Sequence, residues 1–210
     1  MYKNAYGGLF IAVDGPSGVG KTSLIQHIQC ELDKCGIKVY CTREPTDTNY
    51  GDFVRTSAEI LDKESLTCLV ASDRYFHLEN DIIPRLKNGE IVITDRYILS
   101  SLVFQCMDGV TTDFILSVNE KIIQPDVQIV VTADAEIIQN RLSTRGIELV
   151  RFERGRRTNE EIRFLREGIK ILNDFQINMF EIENISTIQS SALLTVDYIK
   201  KVLKYESAIT

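Results

Sequence analysis

Five short stretches of the chain are apolar or β-branched over most of their length: LFIAVD (9–14), KVYCTR (38–43), EIVITD (90–95), VQIVVT (127–132) and MFEIEN (179–184). Runs of this length and make-up predict β-strands. Between them, apolar residues recur at three- and four-residue spacing, which predicts helices over 21–35, 51–61, 66–88, 98–106, 113–123, 135–144, 159–173 and 190–205. Strands that alternate with helices in this way predict an α/β fold, a five-stranded parallel sheet flanked by crossover helices on both faces. No repeat, low-complexity tract or Pro/Gly linker interrupts the pattern, so residues 1–210 are expected to form one domain.

Composition narrows the partners. With 210 residues and 44% hydrophobic content the chain can fill a core, while a net charge of −6 argues against nucleic acid, whose binding needs many cations on phosphates. Cys30, Cys35, Cys41, Cys68 and Cys106 are scattered and lack the paired spacing of a structural zinc site, as free thiols in a reducing compartment would be. The start MYKNAYGG has no secretion-signal pattern, and no apolar run approaches the length that spans a bilayer, so a cytoplasmic protein without membrane contact is expected. One segment departs from the acidic background. Arginines crowd RGIELVRFERGRR (145–157), between two helical patterns, as in a solvated loop or in a basic lid over an anionic ligand.

The sharpest chemistry lies in GPSGVGKTS (15–23), which fits GxxxxGK[ST] between a predicted strand and a predicted helix. Gly15, Gly18 and Gly20 allow turns that aim the backbone N–H groups of the loop, through Ser17, Val19 and Ser23, at phosphate oxygens. Lys21 reaches terminal phosphates, and the Thr22 hydroxyl is a ligand for Mg²⁺. Asp95 ends the strand IVIT at the same edge of the sheet, where an acid holds Mg²⁺ directly or through water. Together these residues predict ATP or a similar triphosphate, with Mg²⁺. The chain has no NKxD-like sequence for guanine and no coupling domain, so a small-molecule kinase is favoured over a switch GTPase or a motor.

Past the loop come TREPTDTNYGDFVR (42–55), SDR (72–74), DRYILSSLVFQ (95–105), QPD (124–126), RLSTRG (141–146), RFE (151–153) and LREG (165–168). In this order and spacing the chain, from about Phe10 to about Leu172, resembles the thymidylate kinase family of nucleoside monophosphate kinases. The resemblance implies a P-loop kinase fold that transfers the γ-phosphate of ATP to dTMP, usually as a homodimer packed through helices. It places Arg55 and Arg96 on the acceptor's 5′-phosphate, a role that suits the guanidinium fork. It sets Arg74 against the base and lines the nucleoside with Ser100, Ser101, Phe104 and Gln105, although Phe104 equally suits a buried helix face. The loop has no arginine, so the cation that screens the transferring phosphoryl group is expected from the lid, with Arg145, Arg151 and Arg154 as candidates. Asp14 and Glu44 are placed to hold Mg²⁺ waters or orient an arginine, behind Asp95 in rank, and ENISTIQS (183–190) is expected to approach the adenine.

Three positions depart from the family pattern on the nucleoside side. Ser17 stands where the loop usually carries an acid toward the sugar hydroxyl, Val70 where a phenylalanine stacks on thymine, and Ile169 where a tyrosine is usual. Another pyrimidine nucleotide is therefore an alternative acceptor. A nucleoside kinase using Glu44 or Asp14 as base and an inactive nucleotide-binding regulator are the further alternatives.

Overall fold

The computed structural model describes residues 1–144, 157–184 and 187–207. Strands β1 (Phe10–Asp14), β2 (Val39–Arg43), β3 (Ile91–Asp95), β4 (Val127–Thr132) and β5 (Asn178–Glu183) form an all-parallel sheet in the order β2-β3-β1-β4-β5. The helices are α1 (Lys21–Lys34), α2 (Asn49–Ser57), α3 (Lys63–His77), α4 (Ile83–Lys87), α5 (Ile98–Met107), α6 (Thr112–Val118), α7 (Ala135–Thr144), α8 (Thr158–Asp174) and α9 (Ile188–Ser207).

Side chains alternate across a strand, so β1 serves two apolar layers. Ile11 and Val13 face Leu24, Ile28 and Leu32 of α1 and Ala192, Val196 and Ile199 of α9. Phe10 and Ala12 face the other way, onto Leu99 and Leu102 of α5 and Leu165 and Leu172 of α8. β1, β3 and β4 are covered on both sides and almost wholly buried, whereas the edge strands β2 and β5 are half exposed. In this order the connection after β1 runs one way, to β2, and the connection after the neighbouring β3 runs the other way, to β4. That divergence opens a crevice at the ends of β1 and β3, where both predicted phosphate motifs arrive.

Two predicted helices differ in detail from their apolar patterns. The long one over 66–88 is helical from Lys63 to Lys87, with a π turn at Leu78–Ile82 joining α3 to α4, which carries Pro84 in its first turn. Proline has no N–H for the ladder, and the π turn that lies just before it widens the helix there. The one over 113–123 ends at Val118, because the Asn119 side chain donates to the Ile115 carbonyl at 2.8 Å and accepts from Arg74 at 2.7 Å.

Candidate active site

The turn after β1 is closed by its own lysine. Lys21 is buried, and its Nζ donates to the carbonyls of Gly15 (2.9 Å) and Pro16 (3.0 Å). Burial, with the nearby Arg96 cation second, lowers its pKa from 10.5 to about 8, despite the opposing carboxylates of Asp95, Glu161 and Asp14. Glycine is needed at position 15, where a Cβ would sit 2.2 Å from the Val131 carbonyl oxygen. The far side of the turn is held from outside: the Val19 carbonyl accepts from Arg141 (2.9 Å) and from the Asn184 amide (2.8 Å).

Across the crevice, the Thr22 hydroxyl donates to Asp95 Oδ2 at 2.6 Å, and Asp95 Oδ1 is buried with no hydrogen-bond partner. A hydroxyl and a half-used carboxylate at the base of a phosphate loop are hard oxygen donors of the kind Mg²⁺ takes, so the residues present fit that ion.

Arg96 follows Asp95 with φ at 75°, a left-handed backbone unusual for a residue with a Cβ. Such a conformation costs on the order of 1–3 kcal/mol and persists only where its surroundings hold it. The Arg96 N–H bonds the Val13 carbonyl at 2.9 Å, and its guanidinium reaches Ser100 Oγ at 3.1 Å and Ser17 Oγ at 3.4 Å, 5.0 Å from the centre of the Phe104 ring. Ser100 in turn donates to buried Asp14, which also accepts from Gln128 (3.0 Å) and the Tyr97 N–H (3.3 Å). Burial pushes the Asp14 carboxyl up, and the Ser100 hydrogen bond and the charge of Arg96 pull it back. Asp14 thus orients Ser100, and Ser100 orients Arg96.

The second arginine is set by β2, its loop and α2. Asp73 fixes the loop by accepting from the Thr46 N–H (2.8 Å) and hydroxyl (2.7 Å). Thr48 caps α2, and Gly51 lets it approach so closely that a Cβ there would lie 1.9 Å from the Thr46 carbonyl oxygen. Arg55 then donates to the carbonyls of Pro45 (2.6 Å) and Thr46 (2.9 Å) and to Asp52 (2.6 Å).

Arg74 is fully buried, bonded to Glu44 (2.8 Å), Asn119 (2.7 Å) and Ser101 (3.0 Å), so its guanidinium forms a fixed part of the wall. Glu44 is also 3.4 Å from His77 Nδ1. Gln105 lies further along α5, 4% exposed, with its Oε1 unpartnered.

The groups these contacts hold border one cavity of about 560 Å³, lined by Gly18, Gly20, Lys21, Thr22 and Ser23, by Asp95, Arg96 and Arg55, and by Val54, Leu66, Val70, Arg74, Ser100, Ser101, Phe104 and Gln105. The fold therefore gathers most of the residues expected from the sequence. Ile169, expected beside the nucleoside, packs instead against the apolar layer between the sheet and α8. Of the expected lid, Arg145, Arg151 and Arg154 lie outside the described residues, and Arg157 holds Glu160 and the Met107 carbonyl. Sequence reasoning missed Arg141, Asn184, Asn119 and Glu161. RLSTRG and ENISTIQS contain the first two, but no spacing within either segment points at the Val19 carbonyl.

Comparison with known proteins gives the family. A family model described as thymidylate kinase matches residues 13–201. A probable thymidylate kinase of Caldivirga maquilingensis is 41% identical over 150 residues, 70% of this chain and 73% of that one. A thymidylate kinase of Caldicellulosiruptor saccharolyticus is 38% identical over 147 residues, 66% of this chain and 71% of its own length. A probable thymidylate kinase of Archaeoglobus fulgidus is 35% identical over 139 residues, again 66% and 71%. Among the described residues no helix is long and apolar enough to cross a membrane.

Proposed function

The chain belongs to the thymidylate kinase family, whose members are phosphotransferases, and on that premise we propose that it transfers the γ-phosphate of ATP to dTMP, giving dTDP, with Mg²⁺. The observation that carries this reading is the single cavity with a triphosphate loop at one end, an unpartnered Gln105 acceptor at the other and two arginines between them.

In this reading Gly15 to Ser23 and Lys21 cradle the triphosphate, and on its arrival Lys21 exchanges the Gly15 and Pro16 carbonyls for phosphate oxygens. Thr22 and Asp95 would hold Mg²⁺, which neutralises phosphate charge when bound. Arg55 and Arg96 grip the acceptor's phosphate and bring its oxygen in line with the γ-phosphorus. One of the candidates Arg145, Arg151 and Arg154 supplies the screening cation, a contribution of about 10³–10⁵ in rate where an arginine plays this part. The acceptor is ionised at neutral pH, so alignment and charge neutralisation suffice without a general base. Arg74 and Gln105 meet the pyrimidine edge, Ser100, Ser101 and Phe104 line the nucleoside with them, and Val70 faces the base. Arg141 and Asn184 brace the loop beneath the nucleotide. One domain spanning 1–210, acting as a cytoplasmic homodimer, completes the reading.

The alternative of a nucleoside kinase needs a free base near a 5′-hydroxyl. Glu44 is committed to Arg74 and His77, and Asp14 to Ser100 and Gln128, which counts against it.

The test is ADP release from ATP and Mg²⁺ with each nucleoside monophosphate and with thymidine. dTMP-dependent ADP is expected. Release with thymidine but with no monophosphate transfers the protein to the nucleoside kinases, and no acceptor-dependent release with any compound refutes the reading.

A further inference from the structure

Where β2 meets α3 and the π turn after it, the contact is polar, although a sheet and a helix usually bury aliphatic side chains against each other. Side chains alternate along a strand, so Tyr40, Thr42 and Glu44 point the same way. Tyr40 donates to Asp81 at 2.8 Å, and the Thr42 hydroxyl is 2.8 Å from His77 Nε2. Glu44 accepts from Arg74 at 2.8 Å and lies 3.4 Å from His77 Nδ1. Asp81 is also 3.8 Å from His77 Nε2 and accepts from Arg85 at 2.9 Å. Buried ion pairs stabilise a fold no better than aliphatic residues of the same volume, so stability does not explain this ladder.

His77 stands at its centre. It is 2% exposed, does not line the cavity, and has no part in the phosphoryl transfer proposed above. An ionised Glu44 only accepts hydrogen bonds, which sets the His77 proton on Nδ1 and leaves Nε2 to accept from the Thr42 hydroxyl. The two Glu44 oxygens are then divided, Oε1 to His77 and Oε2 to Arg74. The last torsion of a glutamate is broad, so a carboxylate held at one oxygen swings and one held at both does not. Arg74 bonds Glu44 through Nε, Asn119 through Nη1 and Ser101 through Nη2, and it lines the cavity. The angle of its guanidinium therefore depends on Glu44, and the set of Glu44 on His77.

We propose that His77 is a positioning residue for acceptor selection, its Nδ1–H fixing Glu44 so that Glu44 fixes Arg74 against the base. The inference rests on the reading that Arg74 meets the pyrimidine edge. An aligned donor favours a base that presents a carbonyl oxygen, as thymine does at C4, over one that presents an amino group there, as cytosine does.

The test uses the two amides that imitate one ring nitrogen each. Asparagine places an N–H close to Nδ1 of a histidine, and glutamine places one close to Nε2. His77→Asn, His77→Gln and His77→Leu are compared with the wild type, reading kcat and KM for dTMP and dCMP, KM for ATP and thermal midpoint. His77→Gln and His77→Leu are expected to raise KM for dTMP about 3- to 10-fold and to lower the kcat/KM preference for dTMP over dCMP by a similar factor, with KM for ATP unchanged. His77→Asn is expected to regain most of both. A His77→Leu that lowers only the thermal midpoint overturns the positioning role and leaves the kinase reading intact. So do Asn and Gln variants that match each other, and a KM for ATP that rises as much as that for dTMP. If His77→Leu does not fold, the Asn and Gln variants decide alone. A wild type that phosphorylates no monophosphate refutes the kinase reading first.

Discussion

The two ends of the cavity are built by opposite means. In the proposed reading, nine consecutive residues at the triphosphate end, Gly15 to Ser23, supply the loop, the lysine and the hydroxyl, with Asp95 facing them and Arg141 and Asn184 bracing the loop from behind. At the acceptor end no two neighbouring segments suffice: Arg55 comes from α2, Val70 and Arg74 from α3, Arg96 from the end of β3 and Gln105 from α5. Phosphate is the same in every nucleotide, so a backbone cradle of fixed design can serve it. A sugar and a base differ between acceptors, and their recognition is spread over side chains that can change singly.

That contrast predicts graded effects. Lys21→Ala is expected to cost about 10²–10³ in kcat with every acceptor, the scale of losing one donor aimed at developing charge. An acceptor-dependent loss would break the contrast. Gln105→Leu is expected to leave ATP affinity unchanged and to lower kcat/KM for dTMP by about 10- to 100-fold, the cost of a hydrogen bond lost in a buried site. Calorimetric binding of ATP and of dTMP separates the two ends.

Lys21 also makes the triphosphate end sensitive to pH. Its folded pKa of about 8 lies below the ordinary 10.5, so between these values the unfolded chain holds a proton that the free folded protein lacks. Stability of the nucleotide-free protein is therefore penalised below pH 8 and recovers as pH rises from 8 toward 10.5, through this group alone. Triphosphate binding needs the charged form, so affinity is expected to fall by up to about tenfold per pH unit above 8, with proton uptake on binding. Calorimetry in buffers of different ionisation heat measures that uptake, and dTMP binding at the other end is expected to show less of it. The smallest effect belongs to Val70→Phe. Restoring an aromatic ring beside the base should shift kcat/KM toward dTMP over dCMP by about 2- to 10-fold, the scale of one stacking contact. An unchanged ratio would move the base away from Val70.

How much could be read from the sequence follows the same division. The apolar runs in LFIAVD and VQIVVT announced parallel strands, and GPSGVGKTS carried its chemistry in its own spacing. Arg55, Arg96 and Gln105 were legible only through family resemblance, since their positions depend on Asp73, Gly51 and Ser100 holding them from other segments. Glu161 gave no signal beyond an acid in a helix's first turn, an ordinary helix-dipole placement, because its meaning lies in a contact 144 residues away with Ser17. Ile169 misled for a related reason: a position on α8 faces the cavity or the core according to the helix's rotation, which a motif does not encode. The π turn at Leu78–Ile82 had a visible cause in Pro84, but the apolar period ran across it and hid the local widening of the helix.

The central claim is that one cavity holds a nucleoside triphosphate and a nucleoside monophosphate end to end. A bisubstrate compound in which adenosine and thymidine are joined through five phosphates tests it directly by calorimetric titration, alone and against ATP or dTMP. One compound per chain is expected, bound more tightly than either nucleotide and displaced by each. Displacement by ATP with no response to saturating dTMP would contradict the account, because it would leave the end built by Arg55, Arg96 and Gln105 without its ligand.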